Sequence, residues 1–259
     1  KKIKKIIKKN IKKIRMDKTI DYKDNKILFK NLLKSGHNMD KFIIEGTLFN
    51  RDDHKYELFY KHLKPGDVVW DIGAYIGTFA IPFSISGYKV YAFEGFPDNF
   101  NKLVENCKPY DIECHICALS NKNESKLTTF GDCQDQGESK KDAINYVKFD
   151  EYVSNNNIPD PKFVKMDIEG NESLALLEMK NVIENIRPIW QIGYHHPGNV
   201  INNEEHPKFI KTEDGGFDFN TFEKLDYVVY DLKTRQHSKF KWGDYNGEYM
   251  CIPKEKIKL

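Results

Sequence analysis

The sequence predicts an α/β fold, a doubly wound and mostly parallel seven-stranded sheet with an antiparallel closing strand. Three observations predict it. Short apolar runs rich in β-branched residues alternate with amphipathic stretches at helical spacing. A glycine turn follows the first of these runs, and an acid ends the second. Strand and helix in regular alternation require a parallel sheet covered by helices.

Residues 1–15 read KKIKKIIKKNIKKIR, with Ile3, Ile6, Ile7, Ile11 and Ile14 at helical spacing. This predicts a basic amphipathic helix that docks on its own or a neighbouring domain, with peripheral contact to an anionic membrane as the alternative. The helix and a lead-in segment occupy residues 1–50, and one globular domain occupies 51–259. The chain lacks an initiator Met, which suggests a piece of a longer multidomain protein. Tyr56, Phe59, Tyr60 and Leu63 predict a helix over 52–63, ended by Pro65 and Gly66. Residues 68–72 read as the first strand, 73–77 as a turn and 78–86 as a helix closed by Gly87. Strand 89–93, helix 98–107 and strand 112–119 continue the rhythm. Residues 120–161 are polar and form an excursion, with a hairpin expected over the sheet edge. Strand 163–167, a helix from 172 to about 183 and strand 189–194 follow. Residues 195–220 form a long loop over the site, and strands 227–230 and 249–252 close the sheet.

An apolar fraction of 39% with 13% aromatic residues is too much packing material for a disordered chain. No stretch approaches the ~20 apolar residues that span a bilayer. Five irregularly spaced cysteines argue against a secreted disulfide framework and for a reducing, cytoplasmic location. Residues 1–15 hold nine of the 41 basic residues and no acid, so 32 bases face 39 acids in the rest. A globular body of that sign offers no broad basic surface for nucleic acid.

The chemistry concentrates in three places. In the first, Asp71-Ile72-Gly73-Ala74-Tyr75-Ile76-Gly77, two glycines allow close approach of the backbone, and a helix N-terminus follows. The spacing differs from the dinucleotide fingerprint, and there is no Gly-Lys-Ser/Thr of a phosphate loop. An acid before the first glycine suits a cofactor with a positive centre, such as S-adenosylmethionine. In the second, Glu94 ends the next strand, where a carboxylate accepts the hydroxyls of an adenosine ribose. The third place is 165–172, where strand alternation would set Lys165, Asp167 and Glu169 on one face. The alternative is a Lys–carboxylate pair, with Glu172 capping the next helix. Cys114-His115-Ile116-Cys117 lacks a second ligand pair for zinc and reads as core packing.

These segments, with Ala92-Phe93-Glu94 and Ala118-Leu119-Ser120, resemble the FkbM-type methyltransferases over about residues 55–195. The resemblance implies a Rossmann-like class I methyltransferase fold. It implies S-adenosylmethionine as cofactor and a hydroxyl of a sugar, glycan or other small molecule as acceptor. It places Asp71, Gly73 and Gly77 around the methionine part of the cofactor, Glu94 at the ribose, and Ala118 and Leu119 near adenine. Ala74, Tyr75 and Gly95 complete the expected cofactor-binding set. Three positions depart from the family pattern: Tyr75 where Asn is usual, Gly95 where Pro is usual, and Gln191 where Glu is frequent. Oxygen methylation needs a base, and His195 at a strand end is the expected one, titrating near its ordinary pKa. His196 and Lys165 are its competitors, and Asp167 orients the acceptor. Asp167, Glu169 and a histidine would also suit magnesium or manganese. A methyltransferase acting on protein, nucleic acid or another small molecule, or a non-catalytic binding module, is the alternative.

Overall fold

The computed structural model describes residues 15–33, 38–49, 59–128, 142–195, 217, 220–234, 236–237 and 247–257. Strands β1 (Arg15–Tyr22) and β2 (Asn25–Leu33) pair as an antiparallel hairpin, and helix α1 (Asn38–Glu45) follows. The main sheet opens with β3 (Val68–Ile72) and passes through α2 (Ala80–Ile85) to β4 (Lys89–Glu94). Helix α3 (Pro97–Cys107) leads to β5 (Ile112–Ile116). A side sheet of β6 (Ala118–Leu119), β7 (Glu124–Thr128) and β8 (Asp142–Val147) comes next, followed by α4 (Phe149–Asn155). The chain returns through β9 (Phe163–Met166), α5 (Glu172–Leu177) and a π-helical turn (Val182–Ile186) to β10 (Ile189–Tyr194). Helix α6 (Asn220–Lys224), β11 (Tyr227–Asp231), the two-residue β12 (Gln236–His237) and β13 (Gly247–Pro253) complete it.

The strand order is β12-β11-β13-β10-β9-β3-β4-β5. It contains the seven predicted strands plus the short edge strand β12. Strands β5, β4, β3, β9 and β10 run parallel, and β13 is antiparallel to both β10 and β11. The order turns back on itself between β3 and β9, so their C-terminal ends open onto a crevice.

Each face of the sheet is sealed by its own apolar layer. On one face Ile20, Ile27, Phe29 and Ile43 of the hairpin and α1 share a cluster with Val69, Ile81, Phe83 and Leu103. The packing therefore runs continuously across residue 50, where the sequence reading divides the chain. On the other face Trp70, Phe93, Phe149, Trp190 and Phe222 form the core. Edge-to-face contacts such as Trp70–Phe149, at 5.3 Å and 87°, order it.

Four expectations change. The hairpin stands where the sequence suggests only a lead-in segment, and the basic helix itself lies outside the described residues. The third strand is cut at Cys117, whose N–H donates to the Glu94 carbonyl at the end of β4; beyond it the chain pairs with β8 instead. The excursion holds the expected antiparallel pair, β7 with β8, and extends it: β6, just before it, adds a third strand and α4 a helix. The helix expected to reach 183 breaks after Leu177. There Asp150 N–H donates to the Glu178 carbonyl and Asn181 N–H to the Asp150 carboxylate, which turns the chain against α4. Most of the predicted helix 52–63 and of the loop 195–220 lies outside the described residues.

Candidate active site

The turn after β3 is built by backbone geometry. Gly73 has φ +80, and a Cβ there would lie 1.9 Å from the Asp167 carbonyl oxygen. This glycine is needed for the approach of β3 to the exit of β9, not only for a ligand. Gly77, at φ +96, packs against Cys107 and Ile81, each 3.1 Å from a built Cβ. Tyr75 is left-handed at φ +54, and its N–H donates to Glu94 Oε2 at 2.9 Å. Phe96 N–H donates to Glu94 Oε1, also at 2.9 Å. Burial pushes the Glu94 carboxyl up to about 7, although both N–H groups favour its charged form. A Cβ on Gly95 would meet the Ala118 Cβ at 2.7 Å, which explains the departure from proline.

Lys165 lies under this turn. Its Nζ is 3.3 Å from Asp71 Oδ1 and donates to the Gly73 carbonyl at 2.9 Å, with Asp71 fully buried. Burial favours the neutral amine, but the Asp71 and Asp167 carboxylates outweigh it and hold Lys165 above the usual lysine range. In this state the amine keeps its proton and donates to a backbone carbonyl. Gln191 is buried beside it in register on β10.

A cavity of about 200 Å³ opens over the strand ends. From the predicted cofactor set, Gly73, Tyr75, Glu94, Gly95, Ala118 and Leu119 line it. Asp71, Ala74 and Gly77 are not in the lining: Asp71 turns to Lys165, Ala74 is buried in the core, and Gly77 packs on Cys107 and Ile81. Sequence reasoning missed Met39, Phe96, Asn99 and Cys117. Phe96 and Asn99 follow Glu94 closely enough to have been found from the acid's position, whereas Met39 comes from α1 and carries no local signal.

Beside the cavity, the exit of β9 and the end of β10 bring three acids to one histidine. Glu172 is fully buried and accepts N–H groups of Ile168 at 3.0 Å and Gly170 at 3.1 Å, which fixes the turn before α5. Glu169 is left-handed at φ +57, so the alternation expected from Lys165 to Glu169 stops at Met166. His195 Nδ1 lies 3.4 Å from Glu172 Oε1 and 3.5 Å from Asp167 Oδ1, and Nε2 lies 3.7 Å from Glu169 Oε2. Burial opposes the charge on His195, but the three carboxylates prevail and raise its pKa to about 9. The expected titration near the ordinary value is therefore corrected. Among the described residues, Asp167, Glu172 and His195 offer ligand atoms within 4.8 Å of one another, a group that could hold a metal ion. Glu169, expected in that set, faces the other ring nitrogen. Asp167 and Glu169 line the cavity, while His195 sits behind them. His196 lies outside the described residues.

A family model described as Methyltransferase FkbM domain matches residues 71–227. Among curated proteins, the chain is similar to the hexuronic acid methyltransferase AglP of Haloferax volcanii. They share 28% identity over 145 residues, which is 50% of this chain and 56% of that protein. It is also similar to a tRNA (guanine(37)-N(1))-methyltransferase of Aedes aegypti, with 41% identity over 61 residues, 24% of this chain and 11% of that protein. The chain thus spans about half the length of the first relative and much less of the second. Among solved structures it is similar to the methyltransferase FkbM of Methylobacillus flagellatus. Their identity is 17% and the TM-score 0.47, covering 82% of this chain and 60% of that one.

Proposed function

Since the chain belongs to the FkbM methyltransferase family, which takes its methyl group from S-adenosylmethionine, we propose that it methylates a hydroxyl oxygen of a sugar or glycan, with His195 as general base. The cavity fits that cofactor. Glu94 retains acceptor capacity beyond its two backbone bonds, as ribose hydroxyls require. Phe96, Ala118 and Leu119 offer an apolar strip for adenine. When bound, the cofactor supplies an electrophilic methyl group on its sulfonium.

The observation that carries the oxygen-acceptor reading is the carboxylate-held His195 beside the cavity. With Nδ1–H donating to Glu172, Nε2 of the neutral imidazole takes the hydroxyl proton once the acceptor displaces Glu169, whose Oε2 lies 3.7 Å from it. Asp167, which lines the cavity, orients the hydroxyl. Similarity to a hexuronic acid methyltransferase supports a carbohydrate acceptor. The four described cysteines are all free, which supports a cytoplasmic setting. Among the described residues no helix is long and apolar enough to cross a membrane.

The test incubates the chain with labelled S-adenosylmethionine and panels of sugars, uronic acids, tRNA and protein. Methyl ether formation on a sugar is the expected result, and transfer confined to tRNA or protein would overturn it. A second reading is favoured by the convergence of Asp167, Glu172 and His195. In that reading the three side chains would hold magnesium or manganese, with His195 giving up its proton as it ligates. Loss of turnover on chelation, restored by the metal, would select it.

A further inference from the structure

The side chain of Tyr75 has no part in the chemistry above, yet it joins two elements across the cavity. Its left-handed backbone, at φ +54, is one that a bulky residue adopts only where its surroundings hold it. On one side its N–H donates to Glu94. On the other its phenol donates to Asp40 Oδ1 at 2.6 Å, the length of a strong O–H···O bond. Asp40 is 1% exposed and lies on α1. Its neighbour Met39 lines the cavity, and Ile43 seats the helix on the core that contains Ala74 and Ile76.

We propose that Asp40 and Tyr75 form a latch that makes α1 a wall of the cofactor site. The pair holds the turn in the conformation that aims Tyr75 N–H at Glu94, and it holds Met39 against the space the cofactor fills. Both are positioning residues, and the inference rests on reading the cavity as the S-adenosylmethionine site. Asparagine at position 75 would tolerate the left-handed backbone, but its side chain is several bonds shorter than the phenol that reaches Asp40.

The experiment is calorimetric titration of the whole chain with S-adenosylhomocysteine, with a melting curve for each variant. Tyr75→Phe and Asp40→Ala should each weaken binding by about tenfold, the scale of one hydrogen bond to a charged group. The double variant should be no weaker than either single one, because both remove the same contact. Asp40→Asn, which keeps an acceptor for the phenol, should bind within about twofold of the wild type. Folded single variants that bind like the wild type would overturn the latch, and so would losses that multiply in the double variant. If Asp40→Ala does not fold, Tyr75→Phe decides, since it removes one oxygen and leaves the ring. A wild-type chain that binds neither S-adenosylmethionine nor S-adenosylhomocysteine would overturn the reading of the cavity, and the latch with it. Binding without methylation of any sugar would overturn only the acceptor reading.

Discussion

The two halves of the crevice are built by different physics. On the β3–β4 side, position is fixed by the backbone: Gly73 has no room for a side chain, Gly95 sits on Ala118, and two N–H groups clamp Glu94. On the β9–β10 side, position is fixed by charge, with three carboxylates around one partly exposed imidazole. Lys165 joins the halves, rooted in β9 but spent on Asp71 and Gly73 of the other side. Changes on the first side should act through folding and cofactor binding. Changes on the second should act through turnover and its pH dependence.

The severest break is Gly73→Val. A Cβ 1.9 Å from the Asp167 carbonyl cannot be relieved by a side-chain rotation, so a loss above ~4 kcal/mol, or no folded protein, is expected in denaturant unfolding. Lys165→Met should cost ~3–5 kcal/mol, because it strands Asp71 as a buried unpaired charge. The double change Asp71→Asn with Lys165→Met should recover much of that. No recovery in the double variant would mean that Lys165 acts through Gly73 alone. His195→Gln should leave S-adenosylhomocysteine binding intact and slow turnover by ~10²–10⁴. Because the base must be neutral, the wild-type rate should rise with pH towards about 9, and a limb near 6.5 would show that the carboxylates do not control it.

Glu94→Gln has the smallest expected effect, a loss of ~1.5–3 kcal/mol in cofactor affinity. Ribose hydroxyls favour the ionised carboxylate, so wild-type affinity should rise with pH through about 7 and the variant's should not. The two sides also differ in stability linkage. Glu94 binds its proton more tightly when folded, so its contribution falls as pH rises from its ordinary value through about 7. His195 is stabilising below its ordinary value, and that contribution is lost as pH rises through about 9. Melting curves of Glu94→Gln and His195→Gln across pH 5–10 would separate them.

Much of this division was legible. The apolar runs at 68–72, 89–93, 163–167 and 189–194 marked the parallel strands, because strands buried on both faces must be apolar throughout. Glu94 and the glycines stood out because each breaks its local pattern. The hairpin of 15–33 was missed although Ile20, Tyr22, Ile27 and Phe29 bury on one side of it. Its alternation is short, and the isoleucine–lysine run before it drew the reading towards a helix. The pairing of Lys165 with Asp71 was not legible, since a sequence does not say which carboxylate a long side chain will meet.

What the sequence by itself determined is the strand–helix order, the glycine turn, the acid that ends β4 and the family. All of these depend on residues close together in the chain, where periodicity and spacing act. The tertiary structure alone decided the rest: that Gly73 yields to the carbonyl of residue 167, that Lys165 belongs to Asp71, that Tyr75 reaches back to Asp40, and that three acids charge His195. Each is a contact between elements distant in sequence, and its strength depends on distance and burial that no local pattern encodes.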